Sequence, residues 1–209
     1  MHPRLTVVDH PLVARHLAVL RDRATDSATF RHTLSDVSML LLYEALRDLR
    51  VREEPVPTPL EDAPAHRLAD DIVVVAIMRA GLGMVDGALR LVPEARVGHL
   101  GMFRDETALR PVGYYESLPP HLPGSEVVVA DPMLATGGSA VAALTRVREL
   151  GARRLRFVCL VAAPEGVRAL AEAHPDVPMT CAAVDDRLDE RGYIRPGLGD
   201  AGDRLYGTT

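Results

Sequence analysis

From Asp71 onward the chain repeats one pattern: a short, mostly apolar run, a turn, then a stretch with helical periodicity. "DIVVVAIM" runs into "RAGLGMVDGALRLV", and "ARVGHLGM" into a long irregular stretch. "EVVVA" runs into "DPMLATGGSAVAALTRVREL", "LRFVCLVAA" into "PEGVRALAEAH", and "MTCAAV" closes the series. A strand that is apolar at every position has no face to give to water, so both faces must be covered. Such strands alternating with amphipathic helices predict an α/β fold: a central, mostly parallel sheet flanked by helices. Open parallel sheets take their ligands at the carboxyl ends of the strands.

The N-terminal third has a different pattern. "PLVARHLAVLRD" places Leu12, Val13, His16, Leu17 and Leu20 on one helical face. "FRHTLSDVSMLLLYEALRDL" places Leu34, Val37, Leu41, Ala45 and Leu49 at helical spacing, with a wider apolar band from Met39 to Tyr43. That width implies burial on more than one side, and a subunit interface is one way to achieve it. "REEPVPTPLEDAPAHRL", with Pro55, Pro57 and Pro59 alternating, is too short for an interdomain tether and suits an exposed β excursion. The expected organisation is one domain over 1–209: helices and β excursion in 1–70, an α/β core in 71–184, and a closing loop in 185–209.

Composition removes several classes of chemistry. Every basic residue other than histidine is Arg, so a lysine Schiff base and the Lys of a phosphate-binding P-loop are both excluded. The net charge of -5, without a long basic run, disfavours nucleic acid and anionic membranes as partners. Cys159 and Cys181 lie in apolar strand-like runs and read as reduced core thiols. There is no secretory h-region and no bilayer-length apolar run, which points to a cytoplasmic protein.

Three loops fall at strand ends. Asp131 to Ser139 has an acid, two glycines that permit a tight turn, and hydroxyls at Thr136 and Ser139. The following helix start adds about half a positive charge, so the loop suits a sugar phosphate. Taken alone it is equally an ordinary turn with Ser139 as helix N-cap. "MRAGLGMVDG" has a G-x-G, but its next glycine is displaced by one position, so the dinucleotide fingerprint fails. What remains is Arg79, at a strand end, able to bind a diphosphate bidentately or to pair with a carboxylate. "RGYIRPGLGDAGDRLYGTT" is a glycine-rich loop with acids Asp200 and Asp203, expected to be anchored by Tyr193, Ile194, Leu198, Leu205 and Tyr206. Its backbone groups suit a small planar ring. The stretch from Arg104 to Ser125, which also holds Arg110, reads as a lid or as a surface hairpin.

Together these segments resemble one family nearly end to end. "HPLV" (His10 to Val13), "RAGLGM" (Arg79 to Met84), "DPMLATGGS" (Asp131 to Ser139), "VAAPEG" (Val161 to Gly166), "AHPDV" (Ala173 to Val177) and "PGLGDAGD" (Pro196 to Asp203) are similar to the uracil phosphoribosyltransferases. The resemblance implies a type I phosphoribosyltransferase fold. It also implies transfer of ribose 5-phosphate from 5-phosphoribosyl 1-diphosphate (PRPP) to uracil, giving UMP and diphosphate. On the resemblance, Asp131, Pro132, Met133, Leu134, Ala135, Thr136, Gly137, Gly138 and Ser139 bind PRPP, with Asp131 on the ribose hydroxyls and Ala135 to Ser139 around the 5-phosphate. Arg79 and Arg104 contact the diphosphate and count as catalytic. Ile194, Gly199, Asp200 and Ala201 bind uracil; Asp200 also contacts PRPP and is the nearest acid/base candidate.

The wider phosphoribosyltransferase pattern has two adjacent acids where this chain has Asp131 followed by Pro132. Mg²⁺ is therefore expected to ride mainly on PRPP oxygens and water, its protein ligands unidentified. The resemblance further implies a homodimer or higher homo-oligomer, with GTP as a possible activator whose site the sequence does not identify. The rival readings are a regulator of the same fold binding nucleotides or RNA, and a phosphoribosyltransferase for another base.

Overall fold

The computed structural model describes residues 4–104, 111–120 and 122–208. Its main sheet has seven strands in the spatial order Leu5–Val7, Met179–Cys181, Arg154–Val158, Glu126–Ala130, Ile72–Met78, Arg96–Arg104, Pro111–Ser117. All neighbours are parallel except the last pair, which forms an antiparallel hairpin. The expected mostly parallel sheet is observed.

Side chains on these strands alternate between two cores. Ile72, Val74, Val128, Ala130 and Val158 face helices α1 (Pro11–Arg21), α2 (Ser27–Ala45) and α3 (Leu82–Leu91). Val73, Val75, Ile77, Val127, Val129 and Phe157 face α4 (Gly138–Glu149) and α5 (Pro164–Ala173). The period-2 alternation of a strand fills both layers, which is why the central runs of Ile72–Met78 and 127–130 are apolar at every position.

α2 meets its wide-band requirement inside the chain, packing on α1, α3 and the short helix α6 (Ala201–Tyr206). Tyr43 stays exposed on its outer side. In α1, Val13 and Leu20 are buried but Leu12 is exposed, so the predicted face is narrower than its apolar residues. The proline-rich excursion forms two antiparallel ribbons, Val51–Glu53 with His66–Leu68 and Val56–Pro57 with Asp62–Ala63. Cys159 and Cys181 are buried free thiols. Among the described residues, no helix is long and apolar enough to cross a membrane.

The sheet reverses its winding between two adjacent strands. From Ile72–Met78 the chain moves outward to Arg96–Arg104, then returns to the other side as Glu126–Ala130. Loops leaving these two neighbours must diverge, and the crevice they leave is where an open α/β sheet receives a ligand. Arg79 follows the first of these strands and Asp131 the second.

Candidate active site

Asp131 lies at the floor of this crevice. Its Oδ1 accepts a hydrogen bond from the Met133 N–H at 3.3 Å. Burial pushes its pKa up from 3.8 to about 7; the Met133 hydrogen bond opposes that rise and the negative charge of Asp200 adds to it. An acid that loses so much by ionising alone suits a ligand bringing hydroxyl donors or positive charge.

Beyond Asp131 the chain is tied down before it opens. The Pro132 carbonyl accepts from the N–H groups of Leu160 and Val161, at 2.9 and 3.0 Å. Met133–Leu134 then pairs with Val161–Ala162 in a small three-stranded sheet with Ala183–Val184. Gly137 turns with φ 85° and is itself the N-cap of α4, with no side-chain capping bond. Ser139 is therefore not the cap, and the first N–H groups of α4 carry no side-chain cap, as an anion site at a helix start requires. The loop rests on α5 at Gly166, where a Cβ would lie 2.5 and 2.6 Å from the Ala135 and Leu134 carbonyl oxygens. Only a glycine lets α5 support the loop this closely, which gives the "VAAPEG" motif a packing reason.

Arg79 reaches across to the C-terminal segment. Its Nη2 lies 3.2 Å from Asp203 Oδ1, and its carbonyl accepts from the Tyr206 hydroxyl at 3.3 Å. A Cβ on Gly202 would sit 3.2 Å from Asp200 Oδ1 and 3.6 Å from Arg79 Nη2, so all three groups converge on one spot. Asp200 is exposed and caps α6, its Oδ1 accepting from the Asp203 N–H at 2.9 Å.

The rest of the C-terminal loop is a hairpin, Arg187–Leu188 against Ile194–Arg195, leading into Gly197, Leu198 and Gly199. Ile194, Leu198 and Leu205 anchor it as expected; Tyr193 and Tyr206 are exposed, Tyr206 being tied through its hydroxyl to the Arg79 carbonyl. The structure thus gathers Arg79, Asp131, Thr136 to Ser139, Asp200 and Ala201 at one sheet edge. Arg104 ends its strand at the same edge, but its side chain lies outside the described residues. The lid expected between Arg104 and Ser125 has a hairpin at its base, and 105–110, Arg110 included, lie outside the described residues. Among the described residues no three His, Cys, Asp or Glu side chains are grouped to hold a metal.

Two charged residues around this site had no signal in the sequence. Asp185, just before the C-terminal hairpin, pairs with Arg21 at the end of α1. They are 164 positions apart; Arg21 is a polar residue at the end of a periodic helix, Asp185 precedes the glycine-rich loop, and nothing in the sequence links the two.

Comparison with known proteins gives this geometry a context. A family model described as uracil phosphoribosyltransferase matches residues 7–208. Relatives named uracil phosphoribosyltransferase include one from Salinibacter ruber, 55% identical over 98% of this chain and 97% of its own length. One from Myxococcus xanthus is 58% identical over 99% of this chain and 98% of its own. A solved Aquifex aeolicus protein, AQ2163, superposes with a TM-score of 0.93 at 40% identity, covering 98% of this chain and 99% of that one. The Mycobacterium tuberculosis orotate phosphoribosyltransferase solved with PRPP is similar in fold alone, with a TM-score of 0.52 at 16% identity over 85% of this chain and 91% of that one.

Proposed function

The chain belongs to the uracil phosphoribosyltransferase family, and from that premise we propose that PRPP lies in the crevice between Arg79 and Asp131 while the Ile194 to Ala201 loop receives uracil. The family's fold is the type I phosphoribosyltransferase fold, and its members are pentosyltransferases that move ribose 5-phosphate from PRPP to uracil, yielding UMP and diphosphate. This is the activity of the chain. The observation carrying the site assignment is the convergence of Arg79, Asp131 and Asp200 at the sheet's reversal point.

In this reading the residues divide the work as follows. The Ala135 to Ser139 loop, with the uncapped N–H groups of α4, holds the 5-phosphate. Pro132, Met133 and Leu134 fix that loop through their backbone bonds to the Leu160 to Ala163 segment. Asp131 accepts from the ribose hydroxyls. Arg79 and Arg104 hold the diphosphate and stabilise the charge it gains as the anomeric C–O bond breaks. Displacement at that carbon passes through a state of oxocarbenium character, so the protein's work is mainly to hold sugar and base in line and to stabilise the charge that develops.

The base site works through backbone groups. The loop aims uracil N1 at the sugar carbon, and Asp200 accepts the N1 proton as the new bond forms. A backbone N–H opposite uracil O4 would face the amino group of cytosine unpaired, a costly mismatch in a buried site.

Mg²⁺ fits this arrangement as a companion of PRPP. The paired carboxylates of Asp131 and Asp200 repel each other and would welcome a cation, yet no third ligand stands beside them among the described residues. Asp200 would hold the ion through its water shell, and the ion would neutralise diphosphate charge. The same reading takes the enzyme to be cytoplasmic, homo-oligomeric and open to activation by GTP.

The decisive assay is UMP formation from labelled uracil and PRPP, with and without Mg²⁺ and GTP, beside cytosine, hypoxanthine and orotate. Turnover that needs PRPP and accepts uracil alone is expected. Turnover with another base, or none from folded protein that binds PRPP, would overturn the assignment.

A further inference from the structure

The end of α1 is stitched to the C-terminal loop by two arginines. Arg21 Nη1 donates to Asp185 Oδ2 and to the Gly197 carbonyl, both at 2.8 Å, while Nη2 donates to Asp185 Oδ1 at 2.5 Å. Asp185 Oδ2 accepts the Gly197 N–H at 2.8 Å. One ion pair therefore holds both hydrogen-bonding groups of a single glycine. That glycine has φ 63°, and a Cβ there would lie 2.1 Å from the Ile194 carbonyl oxygen, so the turn has no slack. From the other side Arg204 donates to the Leu20 carbonyl, to Leu198 O at 3.0 Å and to Asp22 O at 2.6 Å, with its guanidinium 4.4 Å from the Phe30 ring. It thereby satisfies carbonyls that the end of α1 leaves unpaired.

Asp185 is only 7% exposed. Removing a carboxylate and a guanidinium from water costs about what their attraction returns, so such a pair is a poor device for stability alone. What it does well is fix geometry, because a bidentate fork tolerates one orientation. Gly197 lies between Ile194 and Gly199, two positions of the base-reading loop.

We propose that the Arg21–Asp185 pair is a positioning element for uracil: it orients the Gly197 peptide, and through it the backbone groups of Leu198 to Ala201 that face the base. The proposal rests on the reading of that loop as the uracil site. Neither side chain touches substrate. Both act through Gly197.

The test measures steady-state kinetics with uracil and PRPP varied separately, plus calorimetric PRPP binding, for wild type, Asp185→Asn, Arg21→Gln and Arg21→Lys. Asp185→Asn can keep one acceptor oxygen for the Gly197 N–H and Arg21 Nη1, but it loses the charge and sets an amide donor against Arg21 Nη2, which breaks the fork. It and Arg21→Gln should raise KM for uracil about tenfold, the scale of one charge-assisted hydrogen bond. PRPP affinity and kcat at saturating uracil should stay within about twofold, since the Asp131 to Ser139 loop is anchored elsewhere. Arg21→Lys should recover part of the loss, and the ratio of cytosine to uracil turnover should rise in Arg21→Gln. An unchanged uracil KM would overturn the proposal, as would uracil and PRPP affinities falling together, the mark of a merely structural pair. Wild type that turned over PRPP without preferring uracil would instead overturn the base-site reading beneath it.

Discussion

Replacing Asp131 with Asn should change how stability depends on pH, not merely how stable the protein is. In the folded, unliganded protein burial and the Asp200 charge lift the Asp131 pKa from 3.8 to about 7. In the unfolded chain it returns to the ordinary carboxylate range. Between those values the folded state holds a proton that the unfolded state has released, so this group makes stability fall as pH rises from about 4 to about 7. Below that window both states are protonated and the group contributes nothing; above it the full penalty stands. At 1.36 kcal/mol per pH unit the ceiling is ~4 kcal/mol, and solvent access to a half-buried carboxyl reduces it to ~1–2 kcal/mol. Asn keeps the shape and an acceptor for the Met133 N–H, but does not titrate. Urea unfolding of both proteins at pH 5 and pH 8 isolates the effect, because every other titrating group is common to the two. Part of the window lies below pH 5, so the variant should gain on wild type by ~1 kcal/mol between the two pH values, about 2–4 °C in thermal midpoint. An equal gap at both pH values would mean that Asp131 titrates normally when folded, and the electrostatic argument for a donor-bearing ligand at the crevice floor would fail.

Asp200→Asn leaves a good N-cap in place for α6, so the helix should survive while the charge is lost. If Asp200 takes the N1 proton, kcat should fall about a hundredfold; unchanged turnover across pH removes Asp200 from that role. The same substitution should lower the Asp131 pKa by removing a neighbouring charge, shrinking the pH dependence of stability that wild type shows. Gly166→Ala puts a methyl 2.5 Å from the Ala135 carbonyl oxygen, so the loop must move off α5 at a cost of about 1–3 kcal/mol. Calorimetry should show PRPP binding weakened about tenfold or more with uracil KM little changed, and wild-type PRPP affinity would refute the packing account.

How much of this was legible depends on how local each determinant is. The strands of the main sheet were readable because burial on both faces leaves Ile72–Met78 and 127–130 without a polar residue. The loops were readable because a backbone turn beside a phosphate needs glycine, and Gly137 carries that requirement in its own φ. Long-range pairing misled the reading in three places. Leu5–Val7 is too short to register as a strand, yet it pairs with Met179–Cys181 at the sheet edge. "LRFVCLVAA" reads as one run but breaks after Val158, because the Pro132 carbonyl draws Leu160 and Val161 into the smaller sheet. Leu12, Tyr193 and Tyr206 have the apolar character of core residues yet stay exposed, Tyr206 turning its hydroxyl to the Arg79 carbonyl.

The same distinction separates the groups proposed to meet substrate from those proposed to aim them. Asp131, Arg79 and the glycine loop sit at strand ends, where a sequence announces its own geometry within ten residues. Arg21 and Asp185 sit at the end of a helix and beside a hairpin, and nothing local marks either as special until the fold sets the guanidinium against the carboxylate. The active edge of a parallel sheet is built by the topology, whereas the orientation of a loop that reads a base through its backbone must be imposed from outside the loop. In this chain that constraint comes from α1, so substitutions at the end of α1 should register first in uracil KM.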